Sequence, residues 1–176
     1  MATGYLKTYV PAVFSEYMVN LNAICESQPE LRRNCTHNAF AGVTFNLGPR
    51  VVTYPHLDQA NHLCGMCAVT VLGNFDHERG GHVILWDVGL VIQVPPRSTY
   101  LIPSAILVHS NVDIGPEETR MSITQYSAGH LFSWVRCGMT TQAKFAQNGQ
   151  ELESGKTRWQ RGLRLLRKWS AGVQRP

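Results

Sequence analysis

The sequence lacks any apolar run long enough to cross a bilayer, although 44% of its 176 residues are hydrophobic. Apolar residues dispersed in this way predict burial in the chain's own core, and the length suffices for one domain. The opening stretch Met1-Ala2-Thr3-Gly4-Tyr5-Leu6-Lys7 lacks the basic and then continuously apolar order of a secretion signal, so an intracellular location is expected. Cysteine is scarce and odd in number, at five. No second pair follows Cys64-Gly65-Met66-Cys67 at zinc-finger spacing, and Cys25, Cys35 and Cys137 are scattered. The pair therefore reads as buried thiols leading into a strand rather than as a zinc or redox couple. In a reducing compartment the formal sequon Asn34-Cys35-Thr36 carries no glycan. Internal repeats and low-complexity linkers are also missing, which excludes a solenoid or a string of modules.

Acidic residues are absent from the last part of the chain. Of 16 Lys and Arg, seven lie at Lys156, Arg158, Arg161, Arg164, Arg167, Lys168 and Arg175, leaving nine against 12 Asp and Glu elsewhere. The positive charge of the protein thus resides in its tail. Trp159, Leu163, Leu166 and Trp169 recur at helical intervals and leave the arginines to one side, predicting a basic amphipathic helix over 151–176. Such a helix can neutralise phosphates, or dock on the rest of the molecule through its tryptophans with the arginines solvated; the two are compatible.

The remainder is rich in short β-type runs. They fall at 43–47, 51–54, 68–72, 83–86, 90–94, 99–102 and 122–126, separated by Gly73-Asn74, Gly80-Gly81, Asp87-Val88-Gly89, Pro95-Pro96 and Gly115-Pro116. That spacing predicts a mainly β jelly roll or barrel. Ahead of it, Val13, Phe14, Tyr17, Met18, Leu21 and Ile24 predict one helix over 11–30.

His56-Leu57-Asp58 carries the chemistry. Side chains at i and i+2 of an extended segment point the same way, so His56 and Asp58 can reach one metal ion together. His109 follows a run from Leu101 to Val108 that reads as buried β structure, which would hold its ring rigidly. Two imidazoles and a carboxylate can occupy one face of Fe(II) and leave the other open for a chelating cosubstrate and O2. Arg120 and Ser122 share a face of the next strand and suit a carboxylate at a fixed distance from the metal, as in 2-oxoglutarate.

With these residues in place, residues 42–126 resemble the iron and 2-oxoglutarate dependent dioxygenases, more narrowly the TET/JBP group that oxidises methylated bases in nucleic acids. Two further matches support the narrowing. Asn61 extends the triplet to His-x-Asp-x-x-Asn, and Tyr126 stands six residues after Arg120. Phe45-Asn46-Leu47-Gly48-Pro49-Arg50 and Val108-His109-Ser110-Asn111 are similar to the small transposon-associated fungal members. The resemblance implies a double-stranded β-helix (jelly roll, cupin-like) with flanking N-terminal and C-terminal helices. It implies Fe(II) at His56, Asp58 and His109, 2-oxoglutarate at Arg120 and Ser122, and the target base at Asn61 and Tyr126. Ala128 stands where some animal members carry a base-contacting histidine, with His130 nearby.

The implied organisation is a single dioxygenase domain over 1–150, with a helical flank at 1–40 and a core at about 41–135, followed by the basic helix. The expected activity is oxidation of 5-methylcytosine or N6-methyladenine, with succinate and CO2 as co-products. Arg158, Arg161, Arg164, Arg167 and Lys168 would meet the backbone of a nucleic acid, expected to be DNA, in the nucleus. No membrane and no protein partner are expected. The alternatives are a dioxygenase acting on a small molecule or protein side chain, and a non-catalytic cupin-like binding module.

Overall fold

A computed structural model describes residues 2–33 and 35–172, with side chains described as far as Leu165 in the last helix. Its elements are α1 (Ala2–Tyr9), α2 (Pro11–Ser27), β1 (Gly42–Asn46), β2 (Cys67–Asn74), β3 (Val83–Leu85), β4 (Leu90–Ile92), β5 (Thr99–Ile102), β6 (His109–Asn111), β7 (Thr119–Tyr126), α3 (Gly129–Arg136), α4 (Gln142–Gln147) and α5 (Gly155–Gly172).

The strands form two antiparallel sheets, one of four strands in the order β1-β7-β2-β5 and one of three in the order β4-β3-β6. Residues 51–56 run beside β6 and occupy the fourth place of the smaller sheet. The amide of Asn111 donates to the Thr53 carbonyl at 3.3 Å, and His56 bridges His109. Two four-membered layers connected in this alternating way make a jelly roll, the double-stranded β-helix expected from the sequence. The strand predicted at 51–54 is therefore an extended segment without a regular ladder. Pro49 and Pro55 flank it and have no N–H to donate, and the amide of Thr53 bonds the Asn111 side chain instead of a strand carbonyl.

Between the sheets, Val71, Phe75, Val83, Val94 and Ile114 form one apolar cluster. A second joins the outer face of the larger sheet to the helices through Leu6, Val13, Tyr17, Phe40, Met66, Ala68 and Phe132. The predicted helix at 11–30 ends at Ser27, and α1 precedes it. Pro11, with its fixed φ and missing donor, starts the second helix at its first turn. α1 buries only Ala2 and Leu6, too few apolar positions to leave a periodic signal in eight residues. Helix α3, also unanticipated, presents Phe132 to the core, where it stacks on His62 with ring centroids 3.9 Å apart.

Cys64 and Cys67 are free and buried, as the sequence suggested. Burial pushes both thiols up, Cys67 to about 12. Among the described residues no helix is long and apolar enough to cross a membrane. The basic helix α5 packs back on α2. It docks through Gly162 and Leu165 rather than through Trp159, which is 52% exposed. Gly162 lies so close to Cys64 that a Cβ there would overlap the sulfur.

Candidate metal centre

His56 and His109 face each other as a bonded antiparallel pair. Each amide donates to the other's carbonyl at 3.0 Å, which places both side chains on one side of the sheet. Their ring centroids lie 4.3 Å apart. The Nδ1 of His56 sits 2.7 Å from the Tyr54 carbonyl, and the Nδ1 of His109 sits 2.9 Å from the Leu107 carbonyl. A carbonyl only accepts, so each Nδ1 carries the proton and each Nε2 keeps its lone pair for a metal. Asp58 completes the group, with Oδ1 3.7 Å from His56 Nε2. One ligand atom from each residue lies within 4.8 Å of the others, a spacing that can hold a metal ion.

The sequence expected His109 to end a strand, but it begins one. The run from Leu101 breaks at Pro103, where the amides of Ile106 and Leu107 both turn back to the Pro103 carbonyl. The same turn supplies Ser104, whose carbonyl accepts from the Asp58 amide at 3.0 Å. Asn61 Nδ2 donates to Asp58 Oδ2 at 3.1 Å and to Ser104 Oγ at 3.2 Å. The asparagine amide thus orients the carboxylate, and its carbonyl oxygen remains for another partner. Its backbone pairs with Ala128, so the residue at position 128 adjoins Asn61 directly, while His130 is exposed and turned to a neighbouring cleft.

A cavity of about 430 Å³ joins the triad to Arg120, Ser122, Asn61 and Tyr126. Arg120 is 2% exposed, and one of its terminal nitrogens donates to the Val51 carbonyl at 3.1 Å. Its Nε is buried without a partner, and no carboxylate pairs with it among the described residues. Burial lowers the pKa of this guanidinium. A buried, unpaired cation costs several kcal/mol, roughly, unless an anion meets it. The residues present therefore fit a carboxylate ligand. Ser122 lies on the same face of β7 and accepts from Asn46 Nδ2 at 3.0 Å. Tyr126 ends β7 opposite Gly42, where a Cβ would stand 2.9 Å from the tyrosine ring.

Sequence reasoning missed Tyr100 and Asn46, which line the same cavity. Tyr100 lines the cavity with Arg120; burial raises its pKa and the Arg120 charge opposes the rise. Only the alternation along β5 and β1 could have indicated them, and it does not distinguish a cavity wall from a core face. Of the basic residues, Arg158 and Arg161 line a second cleft beside Asn61, and Arg164 is exposed. The side chains of Arg167 and Lys168 lie outside those described.

No family profile matches the chain. No curated protein matches it in sequence. Among solved structures it is similar to NgTET1 in complex with 5mC DNA, at 17% identity and a TM-score of 0.47 over 71% of this chain and 51% of that one. It is also similar to the viral collagen prolyl hydroxylase vCPH from Paramecium Bursaria Chlorella virus-1 in its 2OG complex. That match has 10% identity and a TM-score of 0.34, over 64% and 70% of the two chains. The chain spans about half the length of the first structure.

Proposed function

We propose that this chain is an Fe(II) and 2-oxoglutarate dependent dioxygenase of the TET/JBP type that oxidises a methylated base in nucleic acid. The observation that supports it is a single cavity lined by two imidazoles and a carboxylate at one end of which a buried guanidinium lacks its counter-ion. His56, Asp58 and His109 would hold the iron, the imidazoles through the nitrogens that the backbone carbonyls leave free. When bound, iron with 2-oxoglutarate and O2 supplies the oxidising power to hydroxylate a C–H bond, with succinate and CO2 as co-products. Arg120 and Ser122 would take the far carboxylate and so fix the cosubstrate's orientation.

A base must leave a duplex to reach this depth. Tyr126, at the cavity wall, would support its face, and the carbonyl oxygen of Asn61 would accept from its edge. The amide of Asn61 is already committed to Asp58, so the residue would couple base and metal sites. Arg158, Arg161, Arg164, Arg167 and Lys168 would contribute the sequence-independent backbone term, from a basic helix at 151–176 that follows a single dioxygenase domain at 1–150. A nuclear location goes with a DNA substrate.

The two solved structures concern different substrate classes, so the choice of a nucleobase rests on Asn61, Tyr126 and the basic helix. The test is incubation with Fe(II), 2-oxoglutarate and duplexes carrying 5-methylcytosine or N6-methyladenine, followed by mass spectrometry of the digested nucleosides. Oxidised or demethylated products that vanish in Asp58→Ala are expected. A protein that binds iron and 2-oxoglutarate yet leaves both bases unchanged would favour a small-molecule or protein substrate.

A further inference from the structure

The cavity that holds the triad has a neighbour of about 470 Å³, and Gln59, Ala60 and Asn61 line both. α3 supplies Arg136 and Ser133 to this second cleft, and α5 supplies Arg158, Trp159 and Arg161. Three guanidiniums thus converge on a cleft whose lining, among the described residues, contains one carboxylate, Glu16; Glu151 and Glu153 line an adjoining cleft with Arg136 and Arg158. Glu16 is half-buried against His62, at 3.4 Å. Arg161 is paired with Glu153, its NH1 donating to both carboxylate oxygens at 3.0 and 2.8 Å. Arg136 and Arg158 have no carboxylate partner among the described residues. Arg136 donates to Ser133 Oγ at 2.9 Å and Arg158 to the Glu153 carbonyl at 3.1 Å, which leaves most of their N–H donors open.

The charges are held together by packing rather than by mutual attraction. Gly162 against Cys64 brings α5 down on the body of the protein, and both residues line the cleft. Burial and then the like charge of Arg161 lower the pKa of Arg136, while Glu153 and Glu16 oppose the fall, so the arginines are only partly balanced by the carboxylates around them. Planar guanidiniums match the oxygens of a phosphate, and the half-exposed indole of Trp159 offers an apolar surface beside them for a sugar or base.

We propose that this second cleft binds a phosphodiester of the nucleic-acid strand next to the target nucleotide, with Arg136 and Arg158 as its principal contacts. The inference rests on the nucleobase reading above and adds to it a defined subsite, separated from the metal triad by the wall that Asn61 forms. A strand anchored there has its neighbouring nucleotide at the mouth of the catalytic cavity. Phosphate contacts of this kind position the strand without reading sequence.

The test compares wild type with Arg136→Gln/Arg158→Gln, using fluorescence anisotropy of a labelled duplex over a range of KCl concentrations. Arg136→Lys serves as a charge-preserving control, and circular dichroism verifies folding. The expected result is about tenfold weaker binding to methylated and unmethylated DNA alike, and a log–log salt slope shallower by about one. Binding of 2-oxoglutarate by the metal-loaded protein should be unchanged, and Arg136→Lys should keep most of the affinity. Unchanged DNA affinity and slope in the double variant overturn the subsite while leaving the nucleobase reading standing. A wild type that binds no DNA overturns that reading and the subsite with it. Inorganic phosphate separates the sources. If the double variant loses thermal stabilisation by phosphate but keeps its DNA affinity, the cleft serves a free anion and the strand assignment is overturned.

Discussion

His56 and His109 exchange both backbone hydrogen bonds, at 3.0 Å in each direction, so the two imidazoles are fixed to one side of the sheet before any metal binds. Their Nδ1 atoms face the carbonyls of Tyr54 and Leu107, and the ligand nitrogens need no reorientation. Asp58 has its own support in Asn61 and Ser104. A pre-set triad of this kind makes second-sphere residues measurable.

Asn61→Ala should weaken Fe(II) affinity by roughly 10- to 100-fold, because the donor to Asp58 Oδ2 is lost. Isothermal titration with Fe(II) under anaerobic conditions measures it. If metal affinity is unchanged and only the KM for the nucleic acid rises, Asn61 serves the base alone.

Arg120→Met should leave the cosubstrate-free protein as stable as wild type or more so, since it removes a buried cation with no carboxylate partner. The same change should abolish the rise in Tm that 2-oxoglutarate gives to wild type, about 2.7 kcal/mol of stabilisation at 100 times its Kd. Destabilisation of the ligand-free protein by several kcal/mol would mean that Arg120 is structural.

Gly42→Ala should displace the ring of Tyr126, which a Cβ would approach to 2.9 Å. The KM for methylated DNA should rise several-fold while 2-oxoglutarate binding stays the same. Equal effects on both would place the change in the sheet rather than at the base.

The thiol of Cys67 is pushed up to about 12, first by burial and then by the Asp58 charge. Its pKa in the folded state lies above that of the unfolded chain, so its contribution is fully present below pH 9 and is lost as pH rises from there toward 12. Within that window the slope approaches about 1.4 kcal/mol per pH unit. Urea unfolding of Cys67→Ala against wild type between pH 8 and pH 10.5, at about half-unit steps, should show the shallower decline in the variant.

The candidate metal triad was legible because His56 and Asp58 are two residues apart on an extended segment, a period that sequence preserves. Arg120 and Ser122 were legible for the same reason, being on one face of β7. Order and context locate His109 but not its local structure. An apolar run does not reveal that Pro103 turns the chain, and the turn is what brings Ser104 to Asp58. Residues 51–54 have strand composition, yet their pairing is decided by the two prolines and by the Asn111 side chain across the sheet. The tail's periodicity indicates a basic helix that can dock through its tryptophans or meet phosphates; Trp159 is half-exposed, and the close approach of Gly162 to Cys64 sets the docked face. Long-range contact of that kind has no periodic trace. The second cleft was invisible for the same reason, because Arg136 and Arg158 are distant in sequence and meet only through packing.

The most direct measurement is the ratio of succinate formed to methylated base oxidised, followed in one reaction with Fe(II), 2-oxoglutarate and a methylated duplex. One succinate per oxidation step, falling to background with an unmethylated duplex and in Asp58→Ala, is the expected result. Succinate formation that is the same with and without the methylated base, or no succinate from a protein shown to bind both iron and 2-oxoglutarate, would contradict a nucleobase dioxygenase.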